Sequence, residues 1–366
     1  MIKAVIIGFA HMHVNEITEY ISEVEDFELV GFADLPPETP EITEARYTRT
    51  WNLKTNSEKY GIKPHDDYKQ MLDELKPDLA FILCENSRKP MVVEECAKRG
   101  INVSIEKPMA VSLEAALEIK KSVDKYGIEA MVNWPVIWRP YVHKLIAALE
   151  SGVVGKLYKA FYINGITGPL GKGVKHRGVT EIAEEMTDEE RASTWWYKSE
   201  YGGGAFLDIG GYGCLFNEWI RSDEDLPVSV MAFSGNYNTP YMDAPDNMAG
   251  IIEYENSYGV IEGSWATPQA YLPTGPIFAC TEGSLYCTAD RDVKAMNFYG
   301  NEIELPELEI MPHIKNLPDH YAYCKREGKP LCRMVTLDFN LRVMRLLDAA
   351  LKSAKSGKKE PVSRND

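Results

Sequence analysis

Over roughly the first 130 positions, apolar residues come in short, nearly continuous runs, with segments of helical spacing between them. The runs are Ala4–Gly8, Phe27–Asp34, Leu79–Cys84, Asn102–Glu106 and Ala130–Asn133. Their length and continuity suit strands buried on both faces. Helical spacing follows His13 (Val14, Ile17, Ile21), then recurs over Tyr68–Leu75, Pro90–Arg99 and Leu113–Tyr126. Gly100 and Gly127 stand just past the last two segments, where a left-handed cap is needed. Strand and helix alternating in this order predict an α/β, doubly wound parallel sheet of Rossmann type.

The pattern then changes. Runs of strand composition at Lys156–Ile163, Ser229–Gly235, Met248–Tyr254, Gly259–Trp265 and Ser284–Ala289 follow one another with Gly, Asn and Pro signals between most of them. That succession predicts an α+β region with a large open, mostly antiparallel sheet. The charged stretch Thr180–Arg191 reads as a surface helix or lid. A terminal helix is expected over Val335–Ser356, with Leu337, Leu341, Met344, Leu347 and Leu351 on one stripe, packing back toward the first domain. The fold class is thus α/β plus α+β, with domains at 1–130 and 131–366.

Composition narrows the partners. The 366 residues carry a formal net charge of −15, which repels nucleic-acid backbones and anionic lipid, so neither is expected as a partner. No apolar run approaches the length of a membrane span, and His11 and His13 interrupt the N-terminal one, so no secretory leader is expected. The seven cysteines show no metal-ligand spacing and are expected as reduced thiols of a cytoplasmic protein; no metal site is expected.

The first strand runs into a helix through Gly8-Phe9-Ala10-His11-Met12-His13. A dinucleotide loop needs small residues for a tight turn and for approach of backbone N–H groups to a pyrophosphate. Gly8 fits, Ala10 fits approximately, and His13 stands where the third glycine usually stands, so its ring must point outward or the helix must sit further off. Alone, the fragment is equally compatible with an ordinary strand–turn–helix. Asp34 ends the second strand, where a carboxylate accepts both ribose hydroxyls of NAD and repels the 2′-phosphate of NADP. No Arg or Lys follows it directly, which favours NAD.

Two further motifs carry chemistry. Glu106-Lys107-Pro108 ends a strand at the sheet edge where open α/β sheets bind ligands, and Lys107 there can hold a substrate hydroxyl and pass a proton. The second is Gly202-Gly203-Gly204-Ala205-Phe206-Leu207-Asp208-Ile209-Gly210-Gly211-Tyr212. Asp208 and Tyr212 share a face if this stretch is helical, and with Lys107 they would form one proton-exchanging cluster. A glycine-rich hinge is the alternative.

These motifs, in this order, resemble the glucose–fructose oxidoreductase, inositol dehydrogenase and rhizopine-catabolism family (Gfo/Idh/MocA). Asp78–Ile82, Asn133 through Arg139-Pro140, Ser151–Lys156, Asp246-Asn247 and the end of the last helix at Leu351–Gly357 resemble it too. The resemblance implies an NAD-dependent oxidoreductase acting on a secondary hydroxyl of a sugar or glycoside, with C3 of a glucoside as the narrower expectation. It implies that Lys107 is catalytic, that Asp208 orients the substrate and that Tyr212, its pKa lowered by Lys107, exchanges the proton. Gly8, Phe9, Ala10, His11, Met12, Asp34, Asn86, Glu106, Lys107 and Pro108 would line the cofactor. The loop Cys84–Lys89 keeps only Asn86 of the family's usual Thr-Pro-Asn pattern, which puts its cofactor contacts in question. Trp134, Trp138, Arg139, His176, Trp195 and Trp196 are candidate substrate contacts, as are Arg177 and Tyr197, although each aromatic is at least as readily a core or subunit-interface residue. Two other readings remain: an NAD-dependent glycosidase with transient oxidation, and a non-catalytic NAD sensor. A homo-oligomer, formed through the open sheet face, is expected from the resemblance.

Overall fold

The computed structural model describes residues 1–171, 173–174, 176, 179, 185–221, 225–267 and 275–363. In chain order the first elements are β1 (Ile2–Ile7), α1 (His13–Ser22), β2 (Phe27–Ala33), α2 (Arg49–Tyr60), α3 (Tyr68–Leu75), β3 (Leu79–Ile82), α4 (Lys89–Ala97), β4 (Asn102–Glu106), α5 (Leu113–Tyr126) and β5 (Ala130–Asn133). Among the described residues they form a five-stranded sheet in the order β2-β1-β3-β4-β5, every pair parallel. Strands β3 and β5 are buried at every position, as their unbroken apolar runs imply.

Then follow α6 (Pro140–Glu150), β6 (Leu157–Gly165), α7 (Asp188–Ser193), α8 (Gly211–Trp219), β7 (Pro227–Gly235), β8 (Asn247–Tyr254), β9 (Tyr258–Ser264), β10 (Ile277–Cys280), β11 (Gly283–Cys287), β12 (Val293–Asn297), β13 (Glu302–Ile303), α9 (Leu317–Glu327), α10 (Leu337–Ser356) and β14 (Glu360–Pro361). Among the described residues the second sheet has nine strands in the order β13-β12-β11-β10-β6-β9-β8-β7-β14, antiparallel except for β6 against β9. Of the Thr180–Arg191 stretch only its end is seen as helix, in α7, which opens on a capping box between Thr187 and Glu190; residues 180–184 and Arg177 lie outside the described residues.

Caps mark several helix ends. Ser112 accepts from Ala115 N–H, Thr336 from Phe339 N–H, and Gly127 and Gly357 hold φ of 67° and 68° at the exits of α5 and α10. Helix α10 begins at Leu337, after a 3₁₀ turn at Arg333–Val335, rather than at Val335. It lies against α5, α8 and β7, and the Trp134 indole donates to Asn340 Oδ1 at 2.7 Å, tying the end of the first sheet to the last helix.

Helix α2 is absent from the hydropathy pattern because its buried face is polar: Arg49, Asn52 and Asn56. Asn15 Nδ2 donates to Asn52 Oδ1 (2.9 Å), Asn56 Nδ2 to Asn15 Oδ1 (2.7 Å), and Asn52 Nδ2 to Phe9 O (3.0 Å). Hydrogen bonds replace apolar contact there.

Candidate functional site

The site is built on the C-terminal edge of the parallel sheet. Gly8 ends β1 with φ of +93°, and a Cβ there would stand 2.4 Å from Cys84 N. Only glycine tolerates both the backbone angle and this approach of β1 to the loop after β3. Beyond it Phe9 N–H donates to Asp34 Oδ1 (2.9 Å) and His11 N–H to Leu83 O (3.1 Å), while the N–H groups of Ala10 and Met12 have no partner among the described residues. His13 opens α1 with its ring facing outward, where Nδ1 meets Glu106 Oε1 at 3.0 Å.

Asp34 Oδ1 also takes Leu35 N–H (2.9 Å) and Arg49 Nη1 (2.8 Å), which leaves Oδ2 unengaged among the described residues. Arg49 bridges Asp34 to Glu85, and Glu41 accepts the Arg49 backbone N–H. Two free amides at a helix start and an open carboxylate oxygen at the end of β2 fit a pyrophosphate and a ribose diol. A second segment covers this groove. Trp195 Nε1 donates to Ala10 O (2.9 Å), Asn86 Nδ2 to Gly202 O (2.8 Å), and Thr39 Oγ1 meets the Tyr201 hydroxyl (2.9 Å). Phe9, Ala10, His11 and Met12 are buried as a result.

Glu106-Lys107-Pro108 turns away from β4. Lys107 is buried, its ammonium ion-paired with Asp208 Oδ1 and 4.9 Å from the centre of the Tyr212 ring. Asp208 Oδ2 accepts from Trp265 Nε1 at 2.9 Å. Residues Phe206–Gly210 form a π-helical turn that leads into α8, an arrangement that recurs at functional sites. It brings Asp208 and Tyr212 to the same cleft. The Tyr212 hydroxyl has no hydrogen-bond partner among the described residues. Burial, and then the Asp208 and Glu106 carboxylates, push its pKa well above the ordinary phenol value. The expectation that Lys107 depresses it therefore fails in this conformation: the ammonium lies over the ring and its charge is engaged by Asp208.

Lys89, which the motifs did not single out, is fully buried and donates to Asn86 Oδ1 (2.6 Å), Pro108 O (2.7 Å) and Glu106 O. It brackets the turn that carries Lys107, and burial lowers its pKa to about 7. Its signal in the sequence was a charge at the helical spacing of Val92, Val93 and Cys96 on the buried face of α4.

His11, His13 and Glu106 bring ligand-type atoms within 4.8 Å of one another. His11 Nδ1 accepts the His13 N–H at 3.1 Å, so that nitrogen is unprotonated, and burial, His13, Lys107 and Lys89 all hold His11 neutral. Two nearby ammonium groups are poor company for a metal ion.

The cleft has a volume of about 1040 Å³. Lys107, Asp208, Tyr212, His11, His13, His176, Arg139, Tyr141 and Arg291 are among the residues that line it. Of the candidate substrate residues, Arg139, His176 and Trp196 face the cleft. Trp134 is buried edge-on behind Tyr212 (5.3 Å), Trp138 donates to Asn133 Oδ1 (2.9 Å), Trp195 stacks behind Trp196 (4.1 Å), and Tyr197 packs between Tyr241 and Trp265. Of the candidate cofactor residues, His11, Met12 and Lys107 face it, whereas Gly8, Phe9, Ala10, Asp34, Asn86, Glu106 and Pro108 stand behind the covering segment or in the turn. The seven cysteines are free thiols, and no helix among the described residues is long and apolar enough to cross a membrane.

Residues 2–134 match the family model described as the GFO/IDH/MocA oxidoreductase family, NAD-binding Rossmann fold, and residues 170–286 match the GFO/IDH/MocA C-terminal domain. Scyllo-inositol 2-dehydrogenase (NAD(+)) of Bacillus subtilis (strain 168) is 22% identical over 303 residues, covering 78% of this chain and 78% of that protein. Trans-1,2-dihydrobenzene-1,2-diol dehydrogenase of Xenopus tropicalis is 22% identical, covering 72% and 71%. The structure of the WlbA dehydrogenase from Bordetella pertussis in complex with NADH and UDP-GlcNAcA superposes with a TM-score of 0.75 at 20% identity, covering 100% of this chain and 99% of that one.

Proposed function

We propose a function from one premise: the chain belongs to the GFO/IDH/MocA oxidoreductase family, with its NAD-binding Rossmann fold. The proposal is that it is an NAD-dependent dehydrogenase of a sugar or glycoside, acting on a secondary hydroxyl held among Lys107, Asp208 and Tyr212. The observation that carries it is the meeting of these three side chains in one cleft, from segments 101 or more residues apart, at the ligand-binding edge of the Rossmann sheet.

With the covering Trp195–Gly202 segment displaced, the Ala10 and Met12 amides would hold the pyrophosphate of NAD and Asp34 Oδ2 the adenosine ribose. NAD, when bound, supplies the acceptor for the hydride. The protein does the rest. Lys107, fixed by Asp208, presents its remaining N–H bonds to the substrate oxygen and stabilises negative charge there. Tyr212, with a free hydroxyl and a raised pKa, holds its proton and is set as the donor to that oxygen when the carbonyl is reduced; in the oxidative direction it takes the hydroxyl proton only as the phenolate, after its own proton has left to solvent. Trp265 holds the second Asp208 oxygen, so the carboxylate cannot swing away from Lys107.

We extend the proposal to the C3 hydroxyl of a glucoside. The aromatic walls at Tyr141, Tyr162 and Trp196 support it, since their faces suit a sugar ring and an aglycone. We also propose that copies of the chain associate through the open face of the second sheet.

The test is NADH formation by the purified protein with NAD or NADP and a panel of free sugars, inositols and glycosides. NADH from one class, with NAD preferred, is the expected result. Release of aglycone without net NADH would replace dehydrogenation by transient oxidation and elimination. NAD binding with neither product would leave a sensor.

A further inference from the structure

We propose that the cleft contains an anion subsite, where Arg139 and Arg291 hold a carboxylate or phosphate carried by the substrate. This rests on the oxidoreductase reading of Lys107, Asp208 and Tyr212 and names its substrate class: an acidic sugar derivative.

Charge is the first argument. The chain as a whole carries −15, yet among the described residues the charged side chains lining the cleft are Lys107, Arg139 and Arg291 against Asp208 alone. Asp208 is already spent on Lys107. The local sign is therefore opposite to that of the molecule. A cleft walled by one sign of charge concentrates ligands of the other.

Pairing is the second. Arg49, Arg99, Arg191, Arg221, Arg326 and Arg342 each meet a carboxylate within 4.0 Å. Neither Arg139 nor Arg291 has an ion-pair partner among the described residues, even though Arg291 sits between Asp290 and Asp292 in sequence. In a chain so rich in acids, two open guanidinium groups on one cleft are available to a ligand anion, and their planar forks match carboxylate and phosphate.

Positioning is the third. Arg291 occupies the turn between β11 and β12 with φ of +65°, a conformation unusual for a side chain of its size. Thr288 N–H donates to Asp292 O and Arg291 N–H to Thr288 O, both at 2.9 Å, which closes the turn. The guanidinium lies 5.6 Å from the centre of the Tyr141 ring. Tyr141 stands two residues after Arg139 at the start of α6, and both line the cleft together with Arg291.

The experiment is calorimetric titration of the full chain, loaded with NAD, using matched neutral and acidic probes: cellobiose against cellobionate, and methyl glucoside against glucose 1-phosphate. The acidic member is expected to bind about tenfold or more tightly, with the advantage shrinking as salt rises and falling in Arg291→Ala and further in Arg139→Ala/Arg291→Ala. Arg291→Lys should restore part of it. Preference for cellobionate alone identifies a sugar acid, and for glucose 1-phosphate alone a sugar phosphate; either supports the subsite. Equal affinity within both pairs, a preference that survives in the double variant, or no binding of either acidic probe overturns it. NADH formation is followed in parallel. NADH from neutral sugars without acid preference sinks the subsite and keeps the dehydrogenase. Tight acidic binding without NADH, for any sugar, does the reverse.

Discussion

Lys107 concentrates the chemistry at the residue scale. It is buried, holds an ion pair with Asp208 and stands over Tyr212, so removing its side chain deletes the group that faces the substrate oxygen and leaves the cofactor groove intact. Lys107→Ala is expected to lower kcat/KM by about 10²–10⁴, with NAD affinity, read by fluorescence quenching, changed little. Full activity in that variant would remove Lys107 from the mechanism. His176 gives a pH signature. Burial, then the His13 and Lys107 charges, lower its pKa from 6.5 to about 4. The folded state therefore resists a proton that the unfolded chain accepts. Stability from this group is complete above pH 6.5 and is lost as pH falls toward 4, by at most about 3 kcal/mol. His176→Gln should flatten the fall of Tm across that window. An identical fall in both proteins would show that His176 does not drive it.

At the scale of elements, the turn after β4 depends on a helix that precedes it. The Lys89 ammonium of α4 donates to the Glu106 and Pro108 carbonyls on either side of Lys107. Lys89→Met keeps the length of the side chain and leaves those carbonyls without a donor, at a cost of about 2–4 kcal/mol. A lower Tm together with a fall in kcat larger than any rise in KM is the expected outcome; wild-type Tm and kcat would mean that the turn holds its own shape. Helix periodicity alone placed α1, α3, α4 and α5, because each buries an apolar face. It missed α2, where the buried face is Arg49, Asn52 and Asn56, and the π turn at Phe206–Gly210, which carries Asp208 to Lys107 and Trp265.

Across the whole molecule, the second sheet buries one face and exposes the other. Val230, Ala232, Ile252 and Ile261 point inward, whereas Met231 and Ile251 sit opposite each other on the outer face at 46% and 52% exposure, and Phe233 beside them at 55%. Val260 and Phe161 continue that row across β9 and β6. An apolar row over four strands is costly in water and suits a symmetric partner. Phe233→Glu is therefore expected to shift the protein toward monomer in light scattering, with its circular dichroism unchanged; a wild-type protein that is already monomeric would refute the association.

The sequence by itself determined the parallel sheet, the change to an open sheet after it, and the family motifs at Gly8, Asp34, Glu106-Lys107-Pro108 and Asp208–Tyr212. These are local matters: periodicity, turn chemistry and short spacings are written in neighbouring residues. Only the tertiary structure decided that the dinucleotide loop is covered by the Trp195–Gly202 segment, that the Tyr212 phenol is pushed upward rather than downward, that Trp134 and Trp195 stand behind the cleft wall, and that Arg139 and Arg291 line the same cleft as Lys107. Each of those facts depends on residues far apart in the chain. Burial and Coulomb energy act through space, and no pattern along the chain records which charges will face one another across a cleft.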